Sequence, residues 1–108
     1  MDRRDIKSLL EEAGVETVYG WYAPGSEPER PYAVLHFLYS SDLRADNRHY
    51  ARIDNWQLDL CCDRRSEETE ASVEGALASA DLCWSKEETD EAEDAYVRTI
   101  YKFRTIGD

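Results

Sequence analysis

From Trp56 to Cys62 the chain alternates strictly. Trp56, Leu58, Leu60 and Cys62 fall on one side of an extended backbone and Gln57, Asp59 and Cys61 on the other, the pattern of a strand buried on one face. Upstream, Ala51 and Ile53 have the opposite parity, so a bulge near Asp54-Asn55 is expected to reset the phase. Tyr32 to Ser40 is almost continuously apolar, a short run bounded by turn formers that suits a central strand. The Ser, Asp and Asn content of Ser41 to Arg48, with Asn47 able to take positive φ, predicts the turn of a hairpin joining these two strands. Thr17 to Tyr22, rich in β-branched and aromatic types, reads as a first strand, and the proline-rich stretch that follows it reads as an exposed loop. Leu82 to Trp84 is a short strand, Glu87 to Asp94 a solvated hairpin tip, and Ala95 to Ile106 a closing strand in which Val97, Thr99, Tyr101 and Phe103 alternate with Tyr96, Arg98, Ile100 and Lys102.

Two segments carry the helical period instead. Ile6, Leu9, Leu10 and Ala13 recur at helix spacing, with Asp2 as cap, Asp5 three residues on, and Gly14 where a left-handed residue ends a helix. Ser66 followed by Glu67 and Glu68 marks a second start, and Val73, Ala76, Leu77 and Ala80 form its stripe. The order helix, three strands, helix, two strands predicts an α+β fold, an antiparallel sheet of four to five strands with both helices on one face. Tyr19, Trp21, Tyr32, Tyr39, Tyr50, Trp56, Trp84, Tyr96 and Tyr101 all lie on or beside strands, more rings than two short helices cover. The other face of the sheet is therefore expected to be aromatic, with some rings meeting another subunit.

A chain of 108 residues suffices for one domain, spanning 1–108, that folds without disulfide or metal. The net charge of −11, from 24 acids against 13 bases, argues against a nucleic-acid-binding surface and for a basic partner or self-association. No stretch has the roughly 18 apolar residues of a membrane span, and no apolar leader follows Met1, so the expectation is a soluble protein in the cytoplasm. Cys61 and Cys62 point to opposite faces of a strand and Cys83 stands apart, so the three cysteines read as reduced thiols, with Cys83 small core.

Neither His36 nor His49 has a second ligand at zinc spacing, and no phosphate loop, nucleophile elbow or zincin motif occurs. Asp42 and Asp46 could pair for acid-base work, but a chain this acidic brings carboxylates together by chance. The reading is no catalysis, no cofactor and no metal. What remains is the hairpin connection, where Asp42, Arg44, Asp46, Asn47, Arg48 and Tyr50 crowd polar groups of both signs. They are the candidate partner interface, against the simpler possibility that Asp46 and Asn47 only make the turn. The tip from Glu87 to Asp94 is either a solubilising turn or a surface for a basic partner.

Several of these residues together suggest a family. Tyr19-Gly20, the proline-rich loop ending in Pro31-Tyr32, the run to Tyr39, Ala45-Asp46-Asn47, Tyr50 and Trp56-Gln57-Leu58-Asp59-Leu60 resemble the small tail-completion or tail-terminator proteins of long-tailed phages and prophages. The resemblance extends over nearly the whole chain, departing at Cys61-Cys62 and in the weight of acid at Glu87 to Asp94. It implies a structural protein of the virion tail or neck, a homo-oligomeric and sixfold ring that caps the tail-tube protein and contacts the head connector. A negative lumen in such a ring would let DNA pass without sticking. The competing reading from charge alone is a small acidic inhibitor that mimics DNA and occupies the basic groove of a nucleic-acid-binding protein, for which carboxylates would have to lie in two rows along one face.

Overall fold

The computed structural model describes all residues but Met1, Trp21, Ala23, Pro24, Asp46, Asn47, Arg65, residues 92–95 and Asp108, and describes residues 42–45, 48–51, 90–91, Tyr96 and Gly107 by their backbone. Helix α1 covers Arg3–Glu12. Its N-terminus is closed by a reciprocal capping box: the Asp2 carboxylate accepts from the backbone N–H groups of Arg4 and Asp5 at 3.0 and 3.1 Å, and the Asp5 carboxylate accepts from the N–H of Asp2 at 3.0 Å. Those donated N–H groups, that of Asp5 first, hold the Asp2 carboxyl below its ordinary pKa. At the far end Val15 N–H reaches back to Leu10 O and Gly14 N–H to Glu11 O, a Schellman closure that places Gly14 at φ +91°. The same closure ends helix α2, Glu67–Ser79, but there Asp81 takes the left-handed position at φ +59°. Ser66 caps α2, its Oγ accepting from Thr69 N–H at 3.2 Å.

The strands are β1 Glu16–Tyr19, β2 Tyr32–Ala45, β3 Arg48–Cys62, β4 Trp84–Glu91 and β5 Tyr96–Gly107. They form one sheet in the order β1-β2-β3-β5-β4. Ile6 and Leu10 of α1 and Val73 and Leu77 of α2 meet Leu35, Leu58, Leu60 and Tyr101 in a single core, so both helices cover the same face. The α+β class and the element order are those expected.

Four details differ from expectation. First, the sheet is mixed: β1 runs parallel to β2, whereas β2 with β3, β3 with β5, and β4 with β5 are antiparallel. The connection 20–31 is about as long as a parallel crossover requires, and its described prolines, Pro28 and Pro31, have no N–H to give to a ladder. Second, the bulge lies in β2. Phe37 pairs with Trp56 and Tyr39 with Asn55, leaving Leu38 as the extra residue, while β3 keeps its phase from Ala51 to Cys62; a second shift, from Leu43↔Ala51 to Arg44↔His49, leaves Tyr50 as the extra residue on β3. Asp54 stays on the Trp56 side because Arg52 holds its carboxylate there, Nε to Oδ1 at 3.1 Å.

Third, the hairpin is longer than its composition suggests. The expected connection Ser41 to Arg48 is mostly strand, with pairing running out to Leu43↔Ala51, Arg44↔His49 and Ala45↔Arg48. Fourth, Glu87, Glu88, Asp90 and Glu91 are not at a tip but in β4. An outer strand shows one edge to water and tolerates, even benefits from, charges that block further pairing.

Candidate functional site

The expected interface residues occupy the outer half of the long hairpin. Asp42 and Arg44 are on β2, Arg48 and Tyr50 on β3, and the register sets Asp42 opposite Arg52 and Arg44 opposite His49. Asp46 and Asn47 lie outside the described residues. Among the described residues β5 reaches Gly107, opposite Arg52, and past that level β3 pairs with β2 alone. The two histidines are not brought together: His36 sits opposite Gln57 and places Nε2 3.3 Å from the buried Asp59 carboxylate, which also accepts from Gln57 Nε2 at 2.9 Å. Among the described residues no group of three or more His, Cys, Asp or Glu side chains converges as metal ligands would. Cys61 and Cys62 are both buried and free, and burial pushes both thiols up, which makes them poor nucleophiles. Cys83, expected in the core, is exposed, because it stands just before β4 in the turn out of α2.

The expected aromatic excess takes a different form. Trp56 and Tyr101 are buried beneath the helices and Trp84 is half-buried against the same core, so the helix face absorbs the largest rings. The exposed apolar side chains gather instead where α1 begins and β2 bulges: Tyr19, Phe37, Leu38, Tyr39 and, on β5, Ile106. Two open hollows flank this end. One, on the helix side, has a volume of about 430 Å³ and is lined by Arg3, Arg4, Tyr19, Phe37 and Arg52 among others. The other, about 360 Å³, is lined by Leu38, Tyr39, Trp84, Lys102, Phe103 and Arg104 among others. Phe37 meets the Trp56 ring edge-on at 5.3 Å, and the Arg3 guanidinium lies 4.8 Å over Tyr19. Aromatic surface rimmed by guanidinium groups is the composition of protein interfaces. Hydrophobic periodicity could not reveal it, since the residues come from β1, β2 and β5 and meet only in the folded sheet.

A buried polar cluster also escaped the sequence reading. Glu70 on α2 is almost fully buried, and its carboxylate lies 2.6 Å from Lys86 Nζ of β4. Lys86 also bonds Glu74 at 3.0 Å, and Glu74 accepts from the Tyr101 hydroxyl at 2.9 Å. The carboxylates, Glu70 first, hold the Lys86 pKa above the ordinary lysine value. Burial, then the bond to Glu74, pushes Tyr101 well above an ordinary phenol. The cluster locks α2 to the sheet and is closed by its own members. No helix of the described residues is long and apolar enough to cross a membrane.

No family model matches the chain, and no curated protein matches it. Among solved structures the chain is similar to one in the "Virion of native gene transfer agent (GTA) particle", with a TM-score of 0.59 at 15% sequence identity. The alignment covers 94% of this chain and 82% of that one. At that identity the likeness is one of fold.

Proposed function

We propose that the protein is a structural subunit of a phage-like virion, completing the tail tube and joining it to the head as one member of a homo-oligomeric ring. The observation that carries this reading is the fold likeness to a chain of a gene transfer agent virion over 94% of the sequence. Two features support it. Apart from Asp46 and Asn47, which lie outside the described residues, the residues that resemble tail-completion proteins lie on β1, β2, β3 and in the loop between the first two, the part of the sheet that also carries most of the exposed aromatic end. And the polar cluster of Glu70, Glu74, Lys86 and Tyr101 is engaged within itself. On this reading the chain is made in the host cytoplasm and ends in the virion tail or neck, between the tail-tube protein and the head connector, with no role for a cofactor or membrane. The DNA-mimic reading has less support, since Asp54, Asp63, Glu70 and Glu74 each contact a cation of the same chain instead of forming a free row.

The test is to mix the purified protein with tail tubes assembled from the tail-tube protein of the same phage or prophage, and to image the tube ends by electron cryomicroscopy. A ring of added density at one end, sixfold and of the right mass, is the expected result. Tubes left bare at saturating protein reject the proposal.

A further inference from the structure

The two outer strands of the sheet, β1 and β4, present opposite chemistry. Beside β1, the helix-side hollow gathers three guanidinium groups, Arg3, Arg4 and Arg52, and two carboxylates, Asp2 and Asp54, around Tyr19 and Phe37, which are 40% and 43% exposed; Arg52 is paired with Asp54, so the hollow keeps one net positive charge, and Arg3 and Arg4 supply it. The helix itself does not explain this arrangement. Asp2 and Asp5 suit the positive end of the α1 dipole, but Arg3 and Arg4 stand beside them in the first turn, where the dipole disfavours cations. On the opposite edge Glu87 and Glu88 of β4 are exposed, and α2, held to β4 through Lys86, adds the exposed Glu67 and Glu68. Like charge keeps two β4 edges from pairing with each other, so this edge selects a basic surface. A chain of net charge −11 carries few such surfaces, and the corner at β1 is one.

We infer that these are the two halves of one contact between copies of this chain, the acidic β4 edge of one copy docking against the arginine-aromatic corner at β1 and α1 of the next. The inference rests on the ring reading above and specifies its interface. Opposite edges of one sheet give each subunit a left and a right neighbour, a heterologous contact that closes into a ring when the rotation allows. Exposed aromatics supply apolar area at the centre and the charge pairs set register and partner choice.

The experiment uses three full-length chains, the wild type, Arg3→Glu/Arg4→Glu and Glu87→Lys/Glu88→Lys, followed by sedimentation velocity over micromolar to millimolar concentration. Salt is fixed at about 0.15 M, where a Debye length of roughly 8 Å screens repulsion between whole molecules but leaves contact pairs. The wild type should associate with concentration. Each variant alone should associate at least tenfold more weakly, and their equimolar mixture should recover association, because either variant offers the other a complementary surface. Placing acids in the first turn of α1 favours the helix, and thermal melts verify both folds. A variant that associates like the wild type, a mixture of folded variants that does not recover, or a wild type monomeric at millimolar concentration each overturns the contact. Single-stranded DNA bound at the same salt and released by Arg3→Glu/Arg4→Glu would also overturn it, assigning the corner to nucleic acid. In all these cases rings on tail tubes would leave the proposed function standing, so the two failures are distinguishable.

Discussion

The Trp56 indole is buried where β3 meets β5, and its N–H donates to Thr105 Oγ1 at 3.0 Å. Thr105→Val keeps the shape and removes the acceptor, leaving a buried donor without a partner, and should cost about 1–3 kcal/mol in urea unfolding. Trp56→Phe should then cost less in that background than in the wild type, with a coupling of roughly 0.5–1.5 kcal/mol; strict additivity would contradict the bond. The Glu70 cluster gives a second expectation. Lys86→Met strands a buried carboxylate, and should cost roughly 2–4 kcal/mol once the exposure of the lysine is allowed for. Its pH dependence has a definite sign. Lys86, Tyr101, Cys61 and Cys62 all have raised pKa values in the folded state, so the folded chain holds these protons more tightly than the unfolded chain. The stability they confer is complete below the unfolded values and is lost as pH climbs through the folded ones. Stability measured by urea should therefore fall progressively above about pH 9, less steeply in Lys86→Met. The stripe that the sequence reading assigns to α2, Val73, Ala76, Leu77 and Ala80, leaves out Glu70, although Glu70 lies one turn before Val73 on the same side of the helix. Its partner gave no such signal, because Lys86 borders a run of acids that reads as loop.

The same misreading recurs in whole elements, always where burial is one-sided or missing. β4 has the composition of a solvated turn, yet it pairs with β5 from Trp84↔Phe103 to Glu91↔Tyr96, and its strand character comes from its neighbour's backbone. The outer hairpin likewise lacks apolar alternation because, beyond Arg52↔Gly107, β2 and β3 have only each other. A two-stranded ribbon is marginal on its own. Hydrogen exchange should therefore show the amides of Asp42 and Leu43 exchanging orders of magnitude faster than those of Leu58 and Leu60; equal protection would mean that something else covers the hairpin. Arg44→Ala/Arg48→Ala should change stability by no more than about 0.5 kcal/mol while reducing attachment to tail tubes. A double variant that folds normally and completes tails at wild-type yield would return this element to being only a turn. The inner elements, by contrast, were plain from sequence: the capping box of α1, the Ser66 cap of α2 and the Trp56 to Cys62 alternation each rest on neighbouring residues. Asp81 shows the limit of that method, since its left-handed φ of +59° stands where glycine usually announces a helix end.

For the whole molecule, the element order and the single helix-covered face were readable, and the parallel placement of β1 was not, because no local pattern states which edge a returning chain will join. Net charge is the other molecular-scale quantity. At −11, copies repel at long range, so native mass spectrometry or sedimentation should find monomers and dimers at low salt and larger species as salt rises toward 0.15 M. A strictly monomeric protein at high concentration and high salt that also ignores tail tubes would remove the assembly reading. Since the core is built from side chains of both helices and the sheet, chelator or reductant should move the melting temperature by no more than a few degrees.

Leu38 bears on how such a sequence can drift. Because it has no counterpart on β3, Phe37 pairs on the helix side with Trp56 while Tyr39 pairs with Asn55 on the other, so odd positions of β2 change sides at that residue. Losing the one codon for Leu38 would leave Tyr39 opposite Asn55 and the hairpin on its present faces, removing only the bulge. In lineages descended from this gene, single-residue losses in β2 should therefore gather at Leu38, while length changes farther along the ribbon should survive in pairs or be matched by a compensating change across it, giving that stretch a reading frame of two residues laid over the genetic frame of three nucleotides.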